Sequence, residues 1–68
     1  MNKEVERKTL EILKILDETP KPVGSRIISR KLKERGYQLT ERSVRYHLRI
    51  MDAQGLTECK GRAGHIIT

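Results

Sequence analysis

Prolines and glycines divide this sequence into three short helix-forming segments, and that division limits the folds available to it. Pro20 and Pro22 disfavour helical geometry in the residues before them, so the first helix must end near Glu18. Gly36 and Gly55 can adopt the left-handed conformation that ends helices, and each predicts a helix end. We therefore expect a mainly α-helical protein. The predicted helices cover Asn2–Glu18, Ser25–Arg35 and Thr40–Gln54.

The length and composition allow one small domain. The chain has 68 residues, and Leu, Ile and Val make up 17 of them, enough for a modest core. No apolar run exceeds two residues, which excludes a transmembrane helix and a signal-peptide core. Cys59 is the only cysteine, so an internal disulfide and a zinc finger with four protein ligands are also excluded. We expect a cytoplasmic protein that holds no metal and no cofactor.

The basic charge is concentrated in the second part of the chain. Residues 1–20 carry four basic and five acidic side chains, a net charge of −1, whereas residues 21–68 carry eleven basic and four acidic ones, a net charge of +7. Such a distribution favours a polyanionic partner, most often nucleic acid. A solvated basic surface that only keeps the protein soluble is the alternative.

The first two predicted helices are amphipathic, with side chains of the core on one face. Asn2 and Ser25 are the predicted N-caps, because a short polar side chain can accept from the free backbone N–H groups of a first turn. Residues 36–39, which open with a glycine, form a short connection typical of a helix-turn-helix. The predicted core positions are Val5, Ile12 and Leu16 in the first helix and Ile28 and Leu32 in the second.

The third helix has two contrasting faces. Its apolar positions, Val44, Leu48 and Met51, lie on one side and should pack on the other helices. Glu41 and Asp52 lie towards that apolar side, so we expect no carboxylate to neutralise the opposite face. That opposite face carries Arg42, Arg45, Tyr46 and Arg49. Arginine can bind guanine with two parallel hydrogen bonds, so this face predicts contact with phosphates and base edges. An ordinary solvated face is the alternative.

The third helix begins at Thr40, and its hydroxyl should accept from the backbone N–H of Arg42 or Ser43.

The last twelve residues predict a β-hairpin. Residues 57–60 and 65–68 are strand-like, and they flank a turn in which Gly61 and Gly64 bracket Arg62 and Ala63. We expect a tight turn whose tip can approach a sugar-phosphate backbone, with Arg62 at the tip and Lys60 beside it. Three helices followed by a hairpin with a basic tip are the element order of a winged helix.

Catalysis is not indicated. No Cys or Ser is placed beside a His with an orienting acid, as nucleophilic catalysis requires. We expect His47 to pack at the edge of the buried face, His65 to be a neutral strand residue, and Cys59 to fill a small apolar gap. The protein is therefore expected not to be an enzyme.

The sequence from about Pro22 to Thr68 resembles the winged-helix domains at the front of the archaeal nitrogen-assimilation repressors, and it is similar to the winged-helix domain of ribonuclease R. With the first helix included, the likeness covers nearly the whole chain. One departure is His65, where such wings often carry Arg. The residues that carry the resemblance are Pro22-Val23-Gly24-Ser25, Leu32-Lys33-Glu34-Arg35-Gly36-Tyr37, Thr40-Glu41-Arg42-Ser43-Val44-Arg45-Tyr46-His47-Leu48, Gly55-Leu56-Thr57, the Gly-Arg-x-Gly turn and Ile67-Thr68.

This resemblance implies a DNA-binding head that precedes domains sensing an effector, possibly 2-oxoglutarate, and those later domains are absent from these residues. We expect residues 1–68 to be a single winged-helix domain, the N-terminal piece of a longer regulator, because the sequence stops inside a predicted strand. The regulator is expected to act as a homodimer on palindromic DNA, with its strong interface outside these residues. Leu10 and Ile50, off the core stripes, are the local candidates for a weak contact.

Two functions are therefore open. The first is a sequence-specific double-stranded DNA-binding domain of a transcriptional regulator, most plausibly a repressor of nitrogen-assimilation genes. The second is an accessory module of a larger protein such as a ribonuclease, binding structured RNA or another protein. The predicted DNA-binding residues are Arg26, Arg30, Thr40, Arg42, Ser43, Arg45, Tyr46, Arg49, Lys60 and Arg62.

Overall fold

The computed structural model describes residues 3–68, with the side chains of residues 7–68. The predicted N-cap Asn2 and the side chain of Val5 lie outside this description. Three helices are followed by two short strands joined by one turn of 3₁₀-helix, Gly61–Ala63, which is the architecture of a winged helix. The elements are α1 (Lys3–Glu18), α2 (Ser25–Glu34), α3 (Glu41–Ala53), β1 (Thr57–Cys59) and β2 (His65–Ile67).

Glycine ends α2 and α3 as the sequence predicts. Gly36 has a φ of 88°, and Tyr37 after it donates its N–H to the carbonyl of Leu32 at 2.9 Å. Gly55, with a φ of 77°, is followed by the same pattern of hydrogen bonds at the end of α3. These bonds satisfy carbonyls that a helix end leaves free, and they turn the chain sharply away from the helix axis.

The N-terminal caps agree with prediction for α3 and differ for α2. Thr40 Oγ1 accepts from the backbone N–H of Ser43 at 3.1 Å, which confirms the predicted cap. Ser25 was predicted as the cap of α2, and this is wrong: Ser25 is the first helical residue, and Gly24 before it offers no side chain for capping. Gly24 takes the N-cap position with an extended backbone, so the helix starts one residue earlier than the cap pattern predicts.

A single core lies between the three helices and the root of the hairpin. Val23 and Leu39 from the connecting segments are buried together with the helical residues. The hydroxyl of Ser29 donates to the carbonyl of Leu39 at 2.6 Å and holds the turn between α2 and α3 in place. The helical core residues are Ile12, Ile15, Leu16, Ile28, Leu32, Val44, Leu48 and Met51.

The hairpin is joined by a third piece of extended chain that the sequence did not predict. β1 and β2 are antiparallel, with Thr57 opposite Ile67 and Cys59 opposite His65. Val23 forms a bridge on the other side of β2, with N–O distances of 3.0 and 2.9 Å to the backbone of His65. The segment before α2 therefore binds the wing, which we define as residues 57–68, directly to the helical part.

Gly64 has a role that differs from the predicted one. We predicted that Gly61 and Gly64 make a tight turn able to approach a partner's backbone. Gly64 is buried with a φ of 117°, and a Cβ placed on it would overlap the backbone of Val23. The close approach at Gly64 is thus made by the protein's own chain. No such crowding exists at Gly61.

Candidate nucleic-acid interface

The two faces of α3 are as the sequence predicts. Its buried residues, Val44, His47, Leu48 and Met51, recur at spacings of three and four and pack into the core. The residues with the same spacing on the opposite side are exposed, and Tyr46 leaves 63% of its surface open to solvent. These exposed residues are Arg42, Arg45, Tyr46 and Arg49.

One arginine on this face has an acidic partner, which corrects the prediction that none would. Glu41 forms an ion pair with Arg45, with an Nη2–Oε1 distance of 3.2 Å. Residues four apart are neighbours on a helix surface, and both side chains are long enough to meet although Glu41 lies towards the apolar side. The pair is solvent-exposed, so it contributes only about 0–1 kcal/mol and can open. Within residues 7–68, Arg42 and Arg49 make no ion pair.

Tyr46 is oriented by its buried neighbour. The ring of His47 lies edge-on to that of Tyr46, with 5.9 Å between centroids and an interplanar angle of 89°. His47 Nδ1–H donates to the carbonyl of Ser43 at 2.8 Å, which fixes the imidazole in the helix. The prediction that His47 is a packed histidine is confirmed. The buried His47 ring therefore packs against the exposed ring of Tyr46.

Two polar residues stand at the start of α3. Thr40 is exposed, and its oxygen accepts from Ser43, so its own O–H remains free to donate to a partner. Ser43 is partly buried and lies one turn above Thr40. Both are next to the positive end of the helix dipole, where anions bind favourably.

On α2, two arginines are exposed four residues apart. Arg26 and Arg30 therefore share one side of the helix, and no carboxylate within residues 7–68 pairs with either. Arg35, just beyond the helix, is instead bound to Glu18 of α1. The helix that carries Arg26 and Arg30 packs directly on α3.

The basic residues of the wing differ from each other. Lys60 pairs with Glu58, with an Nζ–Oε1 distance of 3.3 Å, and both side chains are about half exposed. Arg62 lies at the centre of the 3₁₀ turn, is exposed, and makes no ion pair with the part of the chain that the structure describes. Arg62 is thus the free cation of the wing tip among residues 57–68.

Cys59 was predicted to fill an apolar gap, and this is wrong because its side chain is exposed. Thr57, two residues earlier on the same face of β1, is buried. The core therefore reaches only the root of the hairpin, and Cys59 lies beyond its edge.

His65 and Asp52 form a contact that sequence reasoning missed. His65 lies in β2, as predicted, and its Nδ1–H donates to Asp52 Oδ1 at 3.2 Å. The same oxygen accepts from the hydroxyl of Thr57. Asp52 lies in the last turn of α3, so three elements meet at this carboxylate. No local pattern in the sequence signals it, because His65 is thirteen residues away.

None of the helices of residues 3–68 is both long and apolar enough to cross a membrane. Within the same residues, no three His, Cys, Asp or Glu side chains are grouped so that they could hold a metal ion.

The order of the elements, the capped third helix and the hairpin turn agree with one family in particular. Residues 10–68 match the model of the ribonuclease R winged-helix domain. The chain belongs to this family. The match covers most of α1, both other helices and the hairpin. No solved structure shows significant similarity to the chain.

Three curated proteins are similar over most or all of the chain. The global nitrogen regulator NrpRI of Methanosarcina mazei is 47% identical over 68 residues, which is 100% of this chain and 21% of that protein. The global nitrogen regulator NrpR of Methanocaldococcus jannaschii is 48% identical over 65 residues, or 96% of this chain and 12% of that protein. The global nitrogen regulator NrpR of Methanococcus maripaludis is 51% identical over 59 residues, which is 87% of this chain and 11% of that protein. The chain thus spans about a fifth or less of these relatives.

Proposed function

We propose that this winged-helix domain is the sequence-specific double-stranded DNA-binding domain of a cytoplasmic transcription regulator that represses nitrogen-assimilation genes. The observation that carries the proposal is the exposed face of α3, where Arg42 and Arg49 flank Tyr46 and have no acidic partner within residues 7–68. The names of the relatives, which are global nitrogen regulators, support the choice of process.

In this proposal α3 enters the major groove. The width of that groove admits one helix, and arginine on the exposed face can bind guanine O6 and N7 together. Arg45 contributes after releasing Glu41, since an exposed ion pair opens at little cost. Thr40 and Ser43 at the start of α3 bind a phosphate with the help of the helix dipole. Tyr46 adds a flat surface and a hydroxyl beside the bases.

The other basic residues bind the DNA backbone. Arg26 and Arg30 on α2 face the phosphates beside the major groove, which is the position of the first helix in helix-turn-helix proteins. Arg62 and Lys60 on the wing reach the neighbouring backbone or a narrow minor groove. These contacts supply affinity for any sequence, whereas those of α3 supply discrimination.

The second candidate is an accessory module that binds structured RNA or another protein, and the ribonuclease R name of the matching family keeps it open. A gel-shift assay on an operator-like duplex, with random duplex DNA and a structured RNA as competitors, separates the two. The major groove of an RNA helix is too narrow and deep for α3. We therefore expect the RNA to compete poorly; equal or better competition by RNA would favour the second candidate.

Replacing Arg49 or Arg45 by Ala should weaken operator binding by about 1–3 kcal/mol and reduce discrimination between bases, if these side chains read base edges. Fluorescence titrations with operator and random duplexes measure both effects. Arg7→Ala is a matched control, since Arg7 is also an exposed arginine but lies on α1. An equal loss on both duplexes would assign Arg45 and Arg49 to the phosphates instead.

We also propose that the longer regulator is a homodimer and that its effector, 2-oxoglutarate, binds domains beyond these residues. Two heads of this size are needed because each offers few base contacts. Leu10 is exposed and lines an apolar groove with Leu13, Leu56 and Ile67, whereas Ile50 is half-buried and lies outside it. Leu10 is therefore the better of the two candidates for a weak contact between heads. Opposite charges at the groove, on Lys14 and Asp17, suit a surface that meets a copy of itself.

At micromolar concentration the 68-residue chain should sediment mostly as a monomer. A stable interface takes about 800 Å² per partner, roughly a sixth of the 5027 Å² surface of this domain, and the groove offers only a few apolar side chains. Sedimentation velocity measures the state directly. A tight dimer would place the strong interface within these residues and contradict this prediction.

A further inference from the structure

One carboxylate oxygen connects the third helix to both strands of the wing. Asp52 Oδ1 accepts from the hydroxyl of Thr57 on β1 at 2.5 Å and from Nδ1–H of His65 on β2 at 3.2 Å. Asp52 itself belongs to the last turn of α3. The contact is therefore a junction between the helix that carries the arginines and the hairpin that carries Arg62.

The partial burial of these groups favours one orientation of the wing relative to α3. Thr57 is only 2% exposed, and the side chains of His65 and Asp52 are 17% and 27% exposed. Hydrogen bonds to an ionised group are stronger than neutral ones, and partial exclusion of water strengthens them further. If the carboxylate moved away, the buried hydroxyl of Thr57 would lose its partner. The wing is thus held in the one orientation in which Thr57 and His65 both reach Asp52.

The position of the wing tip depends on how the junction holds the hairpin. Arg62 lies three residues before His65, in the 3₁₀ turn that joins β1 to β2. A rotation of the hairpin about its root displaces this tip, and a hydrogen bond to phosphate tolerates a displacement of only about 0.5 Å. The backbone bridge between Val23 and His65 holds β2 along one edge. The junction at Asp52 is the side-chain contact that joins β2 to α3.

We propose that Asp52, with Thr57 and His65, positions the wing on the third helix, so that the contact of Arg62 with DNA depends on this junction. The proposal rests on the proposed DNA-binding function. Asp52 acts as a positioning residue: it does not face the DNA, and its effect on binding passes through Arg62. The junction also gives His65 a role inside the wing.

A double-mutant cycle tests the dependence. Thr57→Val removes the hydroxyl with almost no change of shape, and Thr57→Ser keeps it as the matched control. Arg62→Ala alone should weaken binding to a random duplex about fivefold and lower the salt slope by about 0.9, the loss of one phosphate. In the Thr57→Val background, Arg62→Ala should cost no more than about twofold, and in the Thr57→Ser background about fivefold again. His65→Ala, which leaves the Thr57 hydroxyl bond intact, should give the same pattern as Thr57→Val.

A purely structural role would give a different result. Loss of folded protein would weaken binding by the same factor with or without Arg62 and would leave the salt slope unchanged, so equal costs of Arg62→Ala in all backgrounds would overturn the proposal. Circular dichroism melting establishes that each variant is folded at the temperature of the titration.

A measurement without DNA separates this proposal from the proposed function. Residual dipolar couplings of backbone N–H groups give the orientation of the wing relative to α3 in solution. We expect a reorientation in Thr57→Val and His65→Ala but not in Thr57→Ser. An unchanged orientation in the first two would overturn the proposal even if DNA binding holds. Failure of the unaltered chain to bind any duplex at low salt would instead remove the proposed function.

Discussion

Raising the salt concentration from 50 to 200 mM should weaken binding of this domain to duplex DNA by about 250- to 1,000-fold, because log affinity should fall with log salt at a slope of about −4 to −5. This slope corresponds to about five neutralised phosphates. Residues 21–68 offer five exposed arginines that make no ion pair within residues 7–68. They are Arg26, Arg30, Arg42, Arg49 and Arg62.

Substitutions that remove one positive charge show which side chains contribute to the salt dependence of DNA binding. Arg30→Gln removes an arginine from the proposed phosphate-binding side of α2 and should reduce the slope by about 0.9. Arg7→Gln is the matched control, since Arg7 is also an exposed arginine but lies on α1, outside the proposed interface. It should leave the slope unchanged. A flat salt dependence of the unaltered domain, or slopes that respond equally to both substitutions, would contradict the proposed interface.

The features predicted correctly from sequence are those that neighbouring residues decide. Thr40 lies three residues from the N–H it caps, and Gly36 and Gly55 end helices through hydrogen bonds that span at most five residues. The two faces of α3 follow from its 3.6-residue period alone. In each case the physical cause lies within one or two turns of chain, so the sequence shows it directly.

The features that were missed depend on residues far apart in the chain. Val23 meets His65 across more than forty residues, and the overlap at Gly64 exists only because of that bridge. The junction at Asp52 and the exposure of Cys59 depend on how far the core extends beneath the hairpin. Such contacts are set by tertiary packing, which the period and composition of single segments do not encode.

The error at Glu41 has a different cause. Its position on the helical wheel was read correctly, but the Glu41 and Arg45 side chains each reach several ångströms along the helix surface. A wheel describes where the Cβ atoms lie and not where long charged side chains end. An acidic residue at the edge of a predicted binding face can therefore form an ion pair with an arginine of that face four positions away.

Leu48→Ala should reduce the free energy of unfolding by about 2–4 kcal/mol. The side chain of Leu48 is completely buried and faces the cluster formed by the other two helices, so its removal leaves a cavity in addition to the lost apolar burial. A chain of 68 residues has a total stability of only about 3–10 kcal/mol. The loss should therefore lower the melting temperature by roughly 10–25 °C, measured by circular dichroism.

The adjacent residue provides the control. Arg49 follows Leu48 on the same helix but points to solvent, and Arg49→Ala should change the stability by no more than about 0.5 kcal/mol while weakening operator binding. The two substitutions differ by one position, about 100° of rotation around the helix axis. Opposite outcomes for folding and for DNA binding would therefore establish which face of α3 is the core and which is the interface. If Leu48→Ala left the melting temperature unchanged and Arg49→Ala lowered it, the faces of α3 would be reversed, and the proposed contacts with DNA would be lost with them.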